Sequence, residues 1–322
     1  MIFHLFFFIV GLAILYFGAK GLVGGASRLA SFFGIRPIII GITIVAFGTS
    51  APEASVCIIA AIKETKDVAI GTIIGSNIAN IGLILGLSAL VSPLKIDSAI
   101  LRKELPIMII TTLAIYILAM DGKIGFYDGL LLFSGIIVFV VFCYLSGRKD
   151  SSYHVTLLEF KQGTGAQGKN IALCIGGILA LIGSAHLIIN SALFLAKTFG
   201  ISEFIIGVSL VAFGTSLPEL ATAIVASYRK EADICLGNVI GSNIFNILFV
   251  VGLVAMITPF YIEKRVLIFQ FPIMLLFSII LIPMMKKDFI LSRKEGVGLF
   301  LGYIAFMVCL FNSWIRDTIG FI

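Results

Sequence analysis

Two carboxylates in this sequence of 322 residues stand where a carboxylate is hardest to accommodate. Glu53 and Glu219 lie inside apolar runs, each at the end of the same pattern, VAFGTSAPE at 45–53 and VAFGTSLPE at 211–219. The other fifteen of the 17 acidic residues fall in polar loops or at the ends of apolar stretches. A carboxylate at the centre of a membrane-spanning helix costs on the order of 3 kcal/mol even on the lenient insertion scale. No Lys or Arg stands at comparable depth in the sequence, so the balancing charge is a proton or a bound cation. Pro52 and Pro218 lack the N–H that would bond the carbonyls of Gly48 and Gly214, which breaks a helix one turn ahead of each acid. Unwound carbonyls in hydrocarbon need partners, and a dehydrated cation is a good one. The alternative, two protonated acids hydrogen-bonded between helices, fits less well with a proline break and two hydroxyls beside each acid.

A second repeated block supplies neutral oxygens. GTIIGSNIANI at 71–81 and GNVIGSNIFNI at 237–247 place Ser76 with Asn80, and Ser242 with Asn246, four residues apart and so on one helical face. Asn77 and Asn243 point to another face and are assigned to helix packing. Glycines 71, 75, 237 and 241 are expected to let these helices approach the broken ones closely. Hydrogen bonding between helices remains an open alternative for the Ser and Asn side chains. A set of carboxylates, amides, hydroxyls and carbonyls suits hard ions such as Ca²⁺ or Na⁺, while the lack of intramembrane His/Cys clusters disfavours zinc and copper. Two carboxylates neutralise one Ca²⁺ or two Na⁺, which makes competition between the two ions natural.

The elements that must position these residues are membrane spans. Hydrophobic residues make up 60% of the chain and charged residues 12%, about half the usual charged share of a soluble domain, which excludes a water-soluble fold. Apolar windows place ten spans at about 2–22, 38–62, 68–91, 104–120, 125–146, 170–192, 204–228, 234–258, 265–285 and 296–315. The first has no basic n-region or small-residue cleavage site and is expected to be retained. Residues 147–169 form a polar linker too short for a regulatory domain. About sixteen of the 23 basic residues collect on the side of that linker, which predicts a cytoplasmic linker and both termini outside. The net charge of +6 thus reflects cytoplasmic loops rather than a nucleic-acid partner. The five cysteines show no CxxC spacing and are expected to pack.

The two blocks belong to a longer internal repeat. An offset of 166 residues aligns Gly18 with Ser184 through Pro93 with Pro259 without a gap, matching Gly34 with Gly200, Gly41 with Gly207 and Asp67 with Asp233. Each half holds five spans, an odd number, so the second enters the membrane with opposite orientation. The expected fold is an all-α polytopic membrane protein of ten transmembrane helices, built as two inverted five-helix repeats, 1–146 and 170–322, with broken second and seventh helices. Inverted repeats are how many secondary transporters place a substrate site at the midplane and alternate its access.

At GTSxPE and GxxxGSNxxN the sequence resembles the sodium/calcium exchanger family of the cation/calcium antiporter superfamily. The resemblance implies exchange of Na⁺ for Ca²⁺, normally three for one and therefore electrogenic, at a central cluster of sites. It implies that Glu53 and Glu219 bind the ions with the carbonyls of Thr49 and Thr215. It further implies Na⁺ ligation by Ser50, Ser216, Ser76, Ser242 and the carbonyls of Ala46 and Ala212, with Asn80 and Asn246 at the centre. Potassium-dependent relatives have Asp where Asn246 stands, which argues against K⁺ co-transport here. Proton/calcium exchangers carry an acid in a GNxxE-type segment that GNVIGSN lacks. The short linker resembles prokaryotic members and implies an inner (plasma) membrane.

A proton-coupled divalent-cation antiporter and a cation channel are the competing classes. An enzyme is disfavoured because no nucleophile–base pair or HExxH motif lies in the spans. The transported ions and the bilayer are the expected partners, with no cofactor and no obligatory protein partner. Protease added to intact cells should remove a C-terminal tag; a protected tag would contradict the predicted orientation.

Overall fold

The computed structural model describes residues 2–62, 66–148, 165–198 and 212–319, and these are nearly all helical. The chain opens with α1 (Ile2–Phe33), whose 32 residues extend about 48 Å at 1.5 Å per residue. This exceeds the roughly 30 Å of hydrocarbon and runs well past the expected end at 22. Gly34, at φ 64°, stops it: Ile35 N–H bonds Ala30 O and Gly34 N–H bonds Ser31 O, a glycine-terminated C-cap. Pro37 then starts α2 (Pro37–Thr49), which continues after a bend of 45° as α3 (Ala51–Ile62). The first half is completed by α4 (66–91), α5 (Ser98–Asp121) and α6 (Phe126–Arg148).

The second half begins with α7 (Gly165–Thr198), so the expected linker 147–169 is helical at both its ends, and its residues 149–164 lie outside the described set. After it come α8 (Ala212–Thr215), α9 (Leu217–Tyr228), α10 (Ala232–Ile257), α11 (Val266–Lys286) and α12 (Arg293–Ile319). Seven of these helices are long and apolar enough to cross a membrane, and the bent pair α2 and α3 forms an eighth such unit. The expected span 204–228 falls partly on residues outside the described set, and 296–315 is covered by α12.

Elements recur at the sequence offset. π-helical turns at Asn80–Leu85 and Asn246–Val251 interrupt α4 and α10 at matching positions, and each helix ends in an extended residue, Ser92 or Thr258. The two helices end in two-residue strands, β1 (Leu94–Lys95) and β3 (Phe260–Tyr261), while β2 (Lys123–Ile124) and β4 (Ile290–Leu291) follow α5 and α11. β1 pairs antiparallel with β4, and β2 with β3. Each half thus lends a strand to the other in the same way, and these short pairs are the departure from an all-α chain.

α4 and α10 lie at the centre. Over their most apolar stretches 83% and 78% of residues are buried, against 22–39% in the other long apolar helices. α1 packs along α7, with Gly18 and Gly177 at the crossing. α10 lies against α2 through Gly237 and Gly241. A Cβ at Gly241 would stand 2.6 Å from both Cα and O of Ile42, and one at Gly237 would stand 2.7 Å from Ile38 O. An added Cβ at Gly71 or Gly75 meets nothing within 4 Å among the described residues, and the positions that match 38 and 42 in the repeat, 204 and 208, lie outside them.

Burial also reaches charges that the sequence places at span ends. Arg36, just ahead of α2, pairs with Glu104 in α5, and both are buried, with Asp97 4.0 Å from the guanidinium. Position along the chain does not show that α2 and α5 meet there. The pair neutralises itself and lies apart from the glutamates at the helix break.

Gly241→Ala should lower the thermal midpoint of the purified protein in detergent, a destabilisation of about 1–3 kcal/mol from overpacking. Gly298→Ala, where the nearest atom to a new Cβ is Met284 Cε at 3.9 Å, should not lower it. Equal midpoints for Gly241→Ala and wild type would show that α10 does not need this close approach.

Candidate ion site

The two breaks have the same geometry. Ser50 ends α2 at φ −82°, ψ 5°, and Ser216 separates α8 from α9 at φ −88°, ψ 6°. Both sit in the sparsely populated bridge between helix and extended backbone. Pro52 and Pro218 occupy the first turn of the helix that follows, where a missing N–H costs nothing. The break therefore lies at the serine, with the proline starting the next helix. Each glutamate is the third residue of that new helix.

The serines link the halves reciprocally. Ser50 Oγ donates to Glu219 Oε1 at 3.0 Å, and Ser216 Oγ donates to Glu53 Oε1 at 3.0 Å. Thr215 lies beside Glu53 and Thr49 beside Glu219. Glu53 is 2% exposed and Glu219 1%, so water does not screen them. One oxygen of each carboxylate is held, while Oε2 of each has no partner among the described residues.

α4 and α10 bring the asparagines to the same centre. Asn80 and Asn246 are the first residues of the two π turns, and such turns often re-aim side chains at functional sites. Their NH₂ groups are engaged: Asn80 Nδ2 donates to Asn243 Oδ1 at 3.0 Å, and Asn246 Nδ2 donates to Asn77 Oδ1 at 3.1 Å. Their Oδ1 atoms, and Ser242 Oγ, are buried without a partner among the described residues. Asn77 and Asn243 therefore do join helices, as expected, but they do so by holding the amides of Asn80 and Asn246.

Of the remaining predicted residues, Ser76, Thr49 and Thr215 are buried. The Ala46 carbonyl already accepts from Ser50 N–H at 3.0 Å and from Thr49 Oγ1 at 3.3 Å. Ala212 heads α8. Asn238 was not anticipated. It accepts from Thr49 Oγ1 at 3.0 Å and donates to the Glu219 carbonyl at 3.2 Å, tying α2 to α9 across α10. Its signal was present in the spacing, since Asn238, Ser242 and Asn246 fall at i, i+4 and i+8 on one face. The repeat hid it, because Thr72 stands at the matching position.

Buried oxygens without partners carry their full desolvation cost, about 1–3 kcal/mol each and more when charged. Two carboxylate oxygens, two amide oxygens and a hydroxyl in that condition, drawn from the two broken segments and the two central helices, form a donor set for hard cations. Among the described residues there is no group of three or more His, Cys, Asp or Glu side chains that could hold a metal, so a zinc- or copper-type centre is not supported there.

Known proteins are similar to this chain in sequence and fold. Residues 3–145 and 169–312 match the family model described as sodium/calcium exchanger protein. The chain is 39% identical over 310 residues to the inner membrane protein YrbG of Escherichia coli (strain K12), covering 94% of this chain and 95% of that one. It is 32% identical over 339 residues to the sodium/calcium exchanger MaX1 of Methanosarcina acetivorans, covering 94% and 97%. A solved structure of the sodium-calcium exchanger NCX_Mj superimposes with a TM-score of 0.86 at 29% identity, covering 96% of this chain and 99% of that one.

Removing either bridging hydroxyl frees a carboxylate oxygen to reorient. Ser50→Ala and Ser216→Ala should each weaken cation binding about two- to tenfold, to similar extents because the two contacts are equivalent. Titration calorimetry on the purified protein reads this directly, and unchanged affinity in both variants would exclude the serines from the site.

Proposed function

The chain belongs to the sodium/calcium exchanger family and is a multi-pass membrane cation/Ca²⁺ antiporter; from that premise we propose that it exchanges Na⁺ for Ca²⁺ by alternating access, electrogenically, across a prokaryotic plasma membrane. The observation that carries the ion site is that Glu53, Glu219, Asn80, Asn246 and Ser242 each hold a buried oxygen without a partner among the described residues, on the two broken segments and the two central helices that pack against them. Glu53 and Glu219 supply the fixed charge. Asn80, Asn246, Ser50, Ser216, Ser76 and Ser242 supply neutral oxygens, and the carbonyls of Thr49, Thr215, Ala46 and Ala212 line the breaks. Ca²⁺ matches the two negative charges alone, and several Na⁺ replace it when they share the same oxygens. Because each load uses the carboxylates that the other needs, binding of one displaces the other, which is the coupling an antiporter requires.

The proposed architecture is ten spans in two inverted repeats, 1–146 and 170–322, joined by a cytoplasmic linker at 147–169, with both termini outside. The reciprocal pairing of β1 with β4 and β2 with β3 supports a two-fold relation between the halves. So do the mirrored bonds Ser50 to Glu219 and Ser216 to Glu53. Two related half-sites facing one another give a centre that small movements can open to either side in turn.

In sealed proteoliposomes an outward Na⁺ gradient should drive Ca²⁺ uptake, and Glu53→Gln or Glu219→Gln should reduce it to background. Three Na⁺ leaving for each Ca²⁺ entering moves one positive charge outward per cycle, so an inside-positive potential should accelerate uptake. Uptake that follows a pH gradient and ignores Na⁺ would replace this function with proton-coupled exchange; flux without stimulation by the opposing ion would replace it with a channel.

A further inference from the structure

The two ends of an asparagine amide are nearly the same shape and opposite in polarity. At a cation site that difference decides between attraction and repulsion. Among the described residues neither Asn80 Oδ1 nor Asn246 Oδ1 has a partner, and the hydrogen bonds behind them show what holds them that way round. Asn80 Nδ2 donates to Asn243 Oδ1 at 3.0 Å, and Asn243 Nδ2 in turn meets Met108 Sδ at 3.5 Å. In the other half, Asn246 Nδ2 donates to Asn77 Oδ1 at 3.1 Å, and Asn77 Nδ2 meets Met274 Sδ at 3.8 Å. Met108 and Met274 stand at the same repeat offset as the asparagines, in α5 and α11, and all six side chains are buried.

A thioether has no proton to give and can only accept. Each chain therefore has a fixed direction. The sulfur takes the NH₂ of the rear asparagine, whose carbonyl takes the NH₂ of the front asparagine, whose carbonyl is left facing the site. If the rear amide turned round, an amide oxygen would meet sulfur, two NH₂ groups would oppose one another, and the front amide would have to turn with it.

We propose that Met108 and Met274, acting through Asn243 and Asn77, are positioning residues that aim the amide oxygens of Asn80 and Asn246 at the transported cation. This rests on the proposed role of Asn80 and Asn246 as ion ligands. The two chains are not equally secured. Asn77 Nδ2 has a second acceptor, the Asn243 carbonyl at 3.4 Å, while among the described residues the acceptor for Asn243 Nδ2 is Met108 Sδ. Met108 is accordingly the more sensitive position.

Leucine keeps the volume of methionine and removes the acceptor. Met108→Leu should weaken Na⁺ and Ca²⁺ binding about two- to tenfold by calorimetry, with a smaller effect for Met274→Leu, and with the maximal exchange rate at saturating ions retained. Met108→Gln, which restores an acceptor at similar length, should recover affinity that leucine loses, whereas a packing role would favour leucine. The loss from Met108→Leu should disappear in an Asn80→Ala background and persist in an Asn246→Ala background, because each sulfur acts on one amide. Met285→Leu, a buried methionine outside the chains, should bind as wild type. Wild-type affinity in Met108→Leu and Met274→Leu, while Asn80→Ala and Asn246→Ala weaken binding, would overturn the positioning role and leave the ligands standing. Wild-type affinity in Asn80→Ala and Asn246→Ala would remove the ligand assignment and the proposal with it.

Discussion

Two carboxylates buried in an apolar interior, each with one oxygen held and one without a partner among the described residues, set the terms for the rest of the molecule. Ser50 and Ser216 hold Oε1 of the opposite half's glutamate, so neither acid can be settled by its own repeat alone. Asn80 and Asn246 add oxygens to the same centre and commit their NH₂ groups elsewhere. Each choice removes donors from the site and leaves acceptors. Such a centre is unfavourable by itself in low dielectric, and a cation that gives up its water there relieves it.

The fold makes that centre reachable. Each proline lies in the first turn of the helix that follows the serine, and at the break the hydroxyl of Ser50 or Ser216 meets the opposite half's acid. Gly237 and Gly241 let α10 come against α2 closely enough for Asn238 to touch Thr49 and the Glu219 carbonyl. The π turns begin on Asn80 and Asn246, the asparagines proposed as ligands. These π turns pack against the helices that carry the glutamates, with α4 and α10 as the buried frame around them.

Much of this was legible in the sequence because the chemistry is written twice. A lone intramembrane glutamate is ambiguous; two at a constant offset, each behind GTSxPE, specify a pair of related broken helices. That pattern marks Glu53 and Glu219 as candidates, and the repeated GSNxxN block marks Asn80 and Asn246. What depended on contacts between distant segments was less visible. Asn77 and Asn243 appeared to be packing residues because their faces were known and their partners were not. Asn238 was hidden because a repeat draws attention to positions that agree, and 72 and 238 differ. Glu104 read as a span-end acid, and only the meeting of α2 and α5 shows it buried against Arg36. Helix length was underread in α1, where the apolar stretch continues through small residues past 22 and is stopped by Gly34 instead.

Competition for one oxygen set, with two fixed negative charges to share, is the central claim. Ca²⁺ binding to the purified protein, measured by calorimetry at a series of Na⁺ concentrations, tests it most directly. The apparent Ca²⁺ dissociation constant should rise with Na⁺ without reaching a plateau and with a logarithmic slope above one, because more than one Na⁺ occupies the oxygens that Ca²⁺ needs. A Ca²⁺ affinity that is independent of Na⁺ would mean that the two ions do not share this site.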